Sequence, residues 1–409
     1  MRILIVSQYF WPENFRITDV ALGLLERGHD VTVYTGLPNY PAGRLYAGYG
    51  FLSPLQEDHQ GLAIRRAPLI PRGAGGPVRL LLNYASYAAS ASLFAAWFCR
   101  GHFDAILAYE PSPVTVGIPG RVLKSMKRAP LLFWVQDLWP QTLAATGAIA
   151  SPGILAAVDR MVRWIYRGCD RVLVQSRAFS EPVAAQGVDP ARIIYLPNSA
   201  EAYYQRIAAR ADDDCAAELP AGFRVMFAGN IGAAQDFPTI MAAAELLRDH
   251  QNIQWIVIGD GRQRKWVETE VRSRGLEATF RLLGSRPPQA MPRYFAHADV
   301  LLATLKREAI FAYTIPSKIQ SYLACGKPVV AALEGEGARV ISESGAGWVA
   351  PPENPRALAD AVLAASRLGK TGIEQMGNRA EAYFNEHFDR SRLLTRLERV
   401  LAEVVNAAA

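Results

Sequence analysis

The stretch AYTIPSKIQSYLACGKPVVA, residues 312–331, decides how the rest of the chain is read. Pro316 and Ser317 signal the opening of a helix, because proline loses nothing in a first turn where its missing N–H would go unpaired. Gly326 closes that helix and Pro328 prevents its renewal. Between them Ile319, Tyr322 and Leu323 share one apolar face, while Lys318 and Ser321 lie near the start of another. A helix start presents N–H groups and a partial positive charge, so an anion docks there readily, more so beside an ammonium. The segment reads as a seat for a diphosphate; an ordinary capped helix of an α/β domain has the same spacing, and both readings stay open.

Working outward, each half of the chain repeats strand, loop and helix. Arg2 to Ser7 is apolar, breaks at QYFWPENFR, and resumes at helical spacing from Ile17 to Leu25 before the strand His29 to Thr35. This order builds a parallel sheet, whose ligands collect at the carboxyl ends of the strands. The loop Gln8 to Thr18 therefore faces any ligand, and Asn14 and Arg16 are candidates to hold an acceptor or a phosphate. Phe10, Trp11 and Pro12 could equally do no more than pack a long loop. The glycine fingerprint of a dinucleotide fold is missing from this first turn, which argues against an NAD enzyme. Further strands run into loops at Phe103 to Pro113 and Leu131 to Gln141, and Asp170 to Ser176 and Arg192 to Ser199 complete the half.

In the second half FRVMFAGNIGAAQDF (Phe223 to Phe237) restarts the pattern, and Gly229, Asn230 and Gly232 let the backbone approach a ligand closely. Ile253 to Arg264 brings Asp260, Gly261 and Arg262 to a strand end, where a guanidinium pairs well with phosphate oxygens. Glu336, between Gly335 and Gly337, either reaches a ligand or caps the helix after it.

A length of 409 residues, half of them hydrophobic, suits two domains. The net charge of +6 attracts anions without choosing among them. The four cysteines, Cys99, Cys169, Cys215 and Cys325, have neither metal nor disulfide spacing, and MRILIVS lacks the features of a signal peptide, so a reducing cytosol is expected. No acidic pair stands at a metal-ligand spacing, and no metal is expected. From Val78 to Phe98 the chain is nearly free of charge. It reads as an amphipathic helix resting on an anionic bilayer, helped by Arg65, Arg66, Arg72 and Arg79, or as a buried helix of the first domain.

PSKIQSYLACGKPVV followed by GEGARVI resembles the diphosphate-binding region of retaining glycosyltransferases of the GT-B fold, family GT4. It is closest to a subgroup with WbuB-like N-acetyl-L-fucosamine transferases and WcaI-like colanic acid transferases, and the likeness runs along nearly the whole chain. The resemblance implies two Rossmann-like α/β domains facing a central cleft: an acceptor domain at 1–200, a nucleotide-sugar domain at 201–385, and a last helix, 386–409, crossing back to the first. It implies that Gly229, Asn230, Gly232 and Gln235 lie beside the donor phosphates with Gly261 and Arg262. Ser285 and Arg286 would hold the uracil, and Ser317, Lys318, Ser321 and Glu336 the diphosphate, ribose or donor sugar. Asp137 and Glu110 would meet the acceptor hydroxyl, with Asp137, Glu110 and Lys318 carrying the chemistry, although Asp137 could instead cap a turn.

The chain also departs from the family. Gln136 stands where relatives carry histidine, Gln235 where many carry lysine, and Tyr313 and Ser321 occupy the places of two glutamates, with Glu308 out of register. The implied activity is transfer of a hexose derivative, such as an N-acetylated 6-deoxyhexose, from a UDP-sugar to a polyprenyl-diphosphate-linked glycan at the inner face of the membrane. No cofactor and no nucleic acid are expected. A UDP-sugar 2-epimerase and a non-catalytic, membrane-associated nucleotide-sugar-binding protein are the alternatives.

Overall fold

The computed structural model describes all residues except 51, 52, 54, 146, 148 and 409. The chain divides into two compact units, one of Met1–Pro197 joined by the residues from Leu393 onward, the other of Asn198–Arg392.

The first unit is built on an eight-stranded sheet: β1 (Arg2–Val6), β2 (Asp30–Gly36), β3 (Gln56–His59), β4 (Leu62–Ala67), β5 (Ala105–Glu110), β6 (Leu131–Val135), β7 (Arg171–Val174) and β8 (Ile193–Tyr195). Their order is β3-β4-β2-β1-β5-β6-β7-β8, and all neighbours are parallel except the β3–β4 hairpin. Parallel strands need crossovers that cover both faces, so the central strands are apolar without alternation; every residue of AILAYE in β5 and LLFWV in β6 is buried. Helix α1 (Ile17–Glu26) follows β1 as its spacing predicts. The apolar stretch after β4 forms α2 (Pro77–Leu93), which buries Asn83, Tyr87, Ala88 and Ala91. Among the described residues no helix is long and apolar enough to cross a membrane.

The second unit holds β9 (Phe223–Ala228), β10 (Ile253–Ile258), β11 (Phe280–Gly284), β12 (Val300–Thr304), β13 (Val329–Ala332) and β14 (Gly347–Ala350), all parallel, in the order β11-β10-β9-β12-β13-β14. Both sheets reverse their direction of winding beside their first strand, at β1/β5 and at β9/β12. In open α/β sheets the crevice at such a reversal is where ligands bind. Two helices line the second one, α3 (Ser317–Ala324) and α4 (Glu336–Ser344).

The last helix, α5 (Arg390–Ala408), buries Leu394, Leu397, Val400, Leu401 and Val404 at helical spacing. These pack with Ile3, Ile5, Phe10, Ile17 and Leu24 of the first unit. Glu398 accepts from Arg27 at 2.6 Å and lies 2.8 Å from His29.

Candidate functional site

In the second unit three strand-end loops are stitched together. Gly229 N–H donates to the Ile258 carbonyl at 2.9 Å, Ile231 N–H to Asp260 at 2.8 Å, Gln263 N–H to Ile231 at 3.0 Å, and Gly259 N–H to Gly284 at 2.9 Å. A Cβ at Gly259, where φ is +148°, would lie 1.9 Å from the Gly229 carbonyl, and one at Gly261 would lie 2.4 Å from that of Ile231. Glycine at 261 thus serves loop-to-loop packing, a more local reason than the ligand contact expected of it.

The β9 loop then turns to the end of β12. Lys306 N–H donates to the Ala234 carbonyl at 3.0 Å, and the Thr304 hydroxyl donates to that of Gln235. This joins the loop to its neighbour at the winding reversal, and Lys318 comes in from α3. Its ammonium donates to Gln235 Oε1 and lies 4.0 Å from the centre of the Phe227 ring. A Cβ on Gly229 would stand 3.8 Å from it, so the bare backbone there opens onto the cation. Among the described residues no carboxylate pairs with Lys318, and burial draws its pKa down to about 7. The residue expected to replace a family lysine, Gln235, is the one that holds this lysine.

Pro316 sits in the N-cap position, not inside the helix, and no side chain caps the first turn of α3. Ser317 is exposed at its tip. Ser321 is 6% exposed and donates to the Ser317 carbonyl at 3.3 Å, so its hydroxyl is turned onto its own helix. Tyr322 reaches across to β9, accepting from Ala228 N–H at 3.2 Å. Helix α4 begins against α3: a Cβ at Gly337 would meet Pro316 Cδ at 3.0 Å. Its first residue, Glu336, belongs to this corner, yet both carboxylate oxygens accept from Arg339, at 2.8 and 3.0 Å.

Two predicted donor contacts stand differently. Arg262 is exposed and pairs with no acid among the described residues, close in sequence to the loop but not engaged with it. Ser285 is exposed, whereas Arg286 is tied to Glu218 at 2.5 Å and to the Tyr294 hydroxyl at 2.8 Å. Glu218, far upstream, gave no local signal of this pairing.

In the first unit, Glu110 ends β5 with no exposed surface. One carboxyl oxygen accepts from the backbone N–H groups of Gln136 and Asp137, both at 3.3 Å. Burial, reinforced by Asp137, holds its pKa well above the usual carboxylate range. Glu110 thus holds the loop that carries Asp137 with one oxygen, while its other oxygen accepts no hydrogen bond among the described residues. Asp137 is half-buried, accepting from the Thr142 hydroxyl and from Trp139 Nε1 at 3.2 Å.

Asn14 is exposed and Arg16 is the N-cap residue of α1. The residue just before Asn14 carries no local signal of its role. Glu13, 2% exposed, accepts from the N–H groups of Asn39 and Tyr40 at 2.7 Å each and from Phe10 at 3.2 Å. It ties the loop after β1 to the loop after β2, and burial raises its pKa to about 7.

Arg66, offered to a bilayer by the sequence, has no exposed surface and donates to Glu57, Trp11 O and Gly36 O. Among the described residues one group could hold a metal ion, Asp213, Cys215 and His297. It was invisible in the sequence because His297 lies far from the other two. It sits at the amino ends of β9 and β12, away from the loops above, with Asp213 already accepting from Arg210 N–H and lying 2.9 Å from His297.

Residues 14–199 match the family described as Glycosyl transferase 4-like domain, and residues 222–367 match Glycosyl transferases group 1. The chain belongs to these glycosyltransferases. Among curated relatives it is 30% identical over 234 residues to the probable glycosyltransferase WbjE of Pseudomonas aeruginosa, an alignment covering 55% of this chain and 57% of WbjE. It is 26% identical over 348 residues to the putative colanic acid biosynthesis glycosyl transferase WcaI of Escherichia coli K12, covering 82% and 84%. Among solved structures, Anabaena HepE in complex with UDP superposes with a TM-score of 0.70 at 15% identity, covering 98% of this family member and all of HepE. WaaG, a glycosyltransferase involved in lipopolysaccharide biosynthesis, gives 0.68 at 14% identity, covering 98% and 99%. At such identities these two speak for the fold alone, the GT-B pair of Rossmann-like units.

Proposed function

We propose that this chain transfers a sugar from a UDP-sugar to a polyprenyl-diphosphate-linked glycan in the synthesis of a bacterial surface polysaccharide. The observation that carries the reading is Lys318: a half-buried cation with no acid partner among the described residues, at the uncapped start of α3, beside the winding reversal of its sheet. Such a place is deficient in negative charge, and a diphosphate supplies it. HepE, with the same fold, is known in complex with UDP and with UDP-glucose. WcaI, by its name a colanic acid biosynthesis glycosyl transferase, lends the polysaccharide context.

The chemistry asked of these residues is stabilisation of the departing diphosphate, by the helix N-terminus, Lys318 and a swing of the free Arg262. Attack of the acceptor hydroxyl on the same face, assisted by the leaving phosphate oxygen, gives retention; Asp137 is the candidate to hold that hydroxyl. The donor we favour is an N-acetylated 6-deoxyhexose, as in the N-acetyl-L-fucosamine transferases of the WbuB-like subgroup. Tyr313 would offer an aromatic to a methyl group where relatives place a carboxylate for a hydroxyl.

Docking on the inner face of the membrane is part of this reading, and α2 and the turn after it support it. Val78, Leu81, Leu82, Leu93, Phe94 and Trp97 are exposed along one stripe, with Arg79 and Arg100 at its ends. Basic and apolar residues together suit an anionic bilayer. The test is turnover of a panel of UDP-sugars with polyprenyl-linked acceptors. Release of UDP only when acceptor is present supports the reading; solvent deuterium entering the sugar without acceptor would point to epimerisation instead.

A further inference from the structure

The loops of the first unit bring together a second cation without an acid. Tyr9 and Phe15 from the loop after β1 stack at 5.1 Å, and Tyr40 from the loop after β2 leans on both, at 5.7 and 5.3 Å. The guanidinium of Arg72 lies 4.9 Å from the centre of the Tyr40 ring. Its backbone is fixed by Asn39, whose Oδ1 accepts from Arg72 N–H at 3.0 Å. Among the described residues no carboxylate pairs with the Arg72 side chain.

Tyr84 of α2 closes the group. It shares a hydrogen bond with Tyr9, feels the charges of both Arg72 and Asp137, and meets Trp139 edge-on at 6.1 Å. Next to it in the helix, buried Asn83 accepts from Gln8 Nε2 at 2.8 Å and donates to the Ile70 carbonyl at 2.6 Å, fixing this part of α2 to the segments that follow β1 and β4. Tyr84 is thus linked to Asp137 through Trp139, whose Nε1 donates to that aspartate at 3.2 Å. The exposed flank of Tyr40 and the ring of Tyr84 offer aromatic surface of the sort that packs on a sugar or an isoprenoid.

We propose that Arg72, Tyr40 and Tyr84 form the seat for a phosphate group of the acceptor, holding its diphosphate while the sugar hydroxyl reaches Asp137. The inference rests on the transferase reading for the identity of that ligand, but the residues, unlike Asn14 and Arg16, come from the contacts alone. A guanidinium carries paired donors matched to phosphate oxygens, and its face already rests on an aromatic, so little ordering is left to binding.

The probe is geranyl diphosphate, titrated calorimetrically into the full-length protein with UDP present at saturation, so that the Lys318 seat is filled. Saturable binding is expected, weakened roughly tenfold or more in Arg72→Gln, as befits loss of hydrogen bonds to a charged group. It should be partly restored in Arg72→Lys and weakened less by Tyr84→Phe. Wild-type protein that ignores the probe, or an Arg72→Gln variant that binds it equally well, overturns the proposal. Vesicles of phosphatidylglycerol separate the other source of phosphate. Loss of vesicle binding in Arg72→Gln with probe binding intact would assign this arginine to lipid headgroups and overturn it too. UDP affinity, measured first in the same samples, reports on the donor reading independently, so failure of one is distinguishable from failure of the other.

Discussion

The Lys318 ammonium lies 4.0 Å from the centre of the Phe227 ring and donates to the amide oxygen of Gln235, a neutral partner. An aromatic face and an amide hold a cation without neutralising it, so the charge is kept for something that arrives from outside. Burial costs that cation enough to bring its pKa to about 7.

A pH dependence follows. Anion binding favours the protonated lysine and raises its pKa in the complex, so above pH 7 the free protein must take up a proton to bind. UDP affinity should therefore fall by up to about tenfold per pH unit as pH rises from about 7 to 9. Calorimetry in buffers of differing ionisation enthalpy should register uptake near pH 8, absent in Lys318→Ala.

Glu110 makes the opposite kind of prediction. Burial favours its neutral form, so Glu110→Gln should fold with nearly wild-type stability. Glu110→Ala leaves the Asp137 N–H without its acceptor, while Gln136 N–H keeps the Glu110 backbone carbonyl at 3.1 Å, a loss of about 1–3 kcal/mol for the one amide so stranded. Chemical denaturation of the two variants checks this, and equal stability would count against the loop-shaping role. Asp137→Asn replaces one of the two oxygens that accept from Thr142 and Trp139, so it should cost about 1 kcal/mol of stability and depress transfer as well.

Glu13 has a folded pKa of about 7 against the ordinary 4.5. Between these values the folded state holds the proton more tightly than the unfolded one, so this group's contribution is intact below pH 4.5 and is lost as pH rises through 7. Glu13→Gln keeps an acceptor without the charge. Its melting temperature should therefore gain on wild type as pH goes from 5 to 8, and parallel curves would refute the linkage.

Membrane docking is tested on α2 and on the short helical turn Ala95–Phe98 after it. Leu81→Glu and Trp97→Glu alter side chains that are 66% and 63% exposed, so melting temperatures should hardly move. Co-sedimentation with anionic vesicles should drop by roughly tenfold or more, since burying such a side chain contributes about 1.5–3 kcal/mol. Arg66→Gln, by contrast, should destabilise the fold, because that side chain bridges three chain segments in the interior.

The helix at 317–324 was legible because its start, stop and apolar face are encoded within a dozen residues, and only the place of Pro316 shifted, from first turn to cap. Strands such as LLFWV and IQWIVI announced themselves by unbroken apolar runs, the mark of a parallel sheet covered on both faces. What the sequence hid is contact between distant segments. Glu218 captures Arg286, Glu57 captures Arg66, and Glu13 binds the amides of Asn39 and Tyr40, none of which local spacing can announce. The same holds for Arg72, which read as one basic residue among four until its neighbours were known.

The account's central claim, that Lys318 at the start of α3 receives the donor diphosphate, is tested most directly by titrating UDP into wild-type and Lys318→Ala protein at pH 7. Loss of the ammonium should weaken UDP roughly tenfold or more without lowering the melting temperature, since the variant removes a desolvated cation. Equal affinity in the two proteins would contradict it.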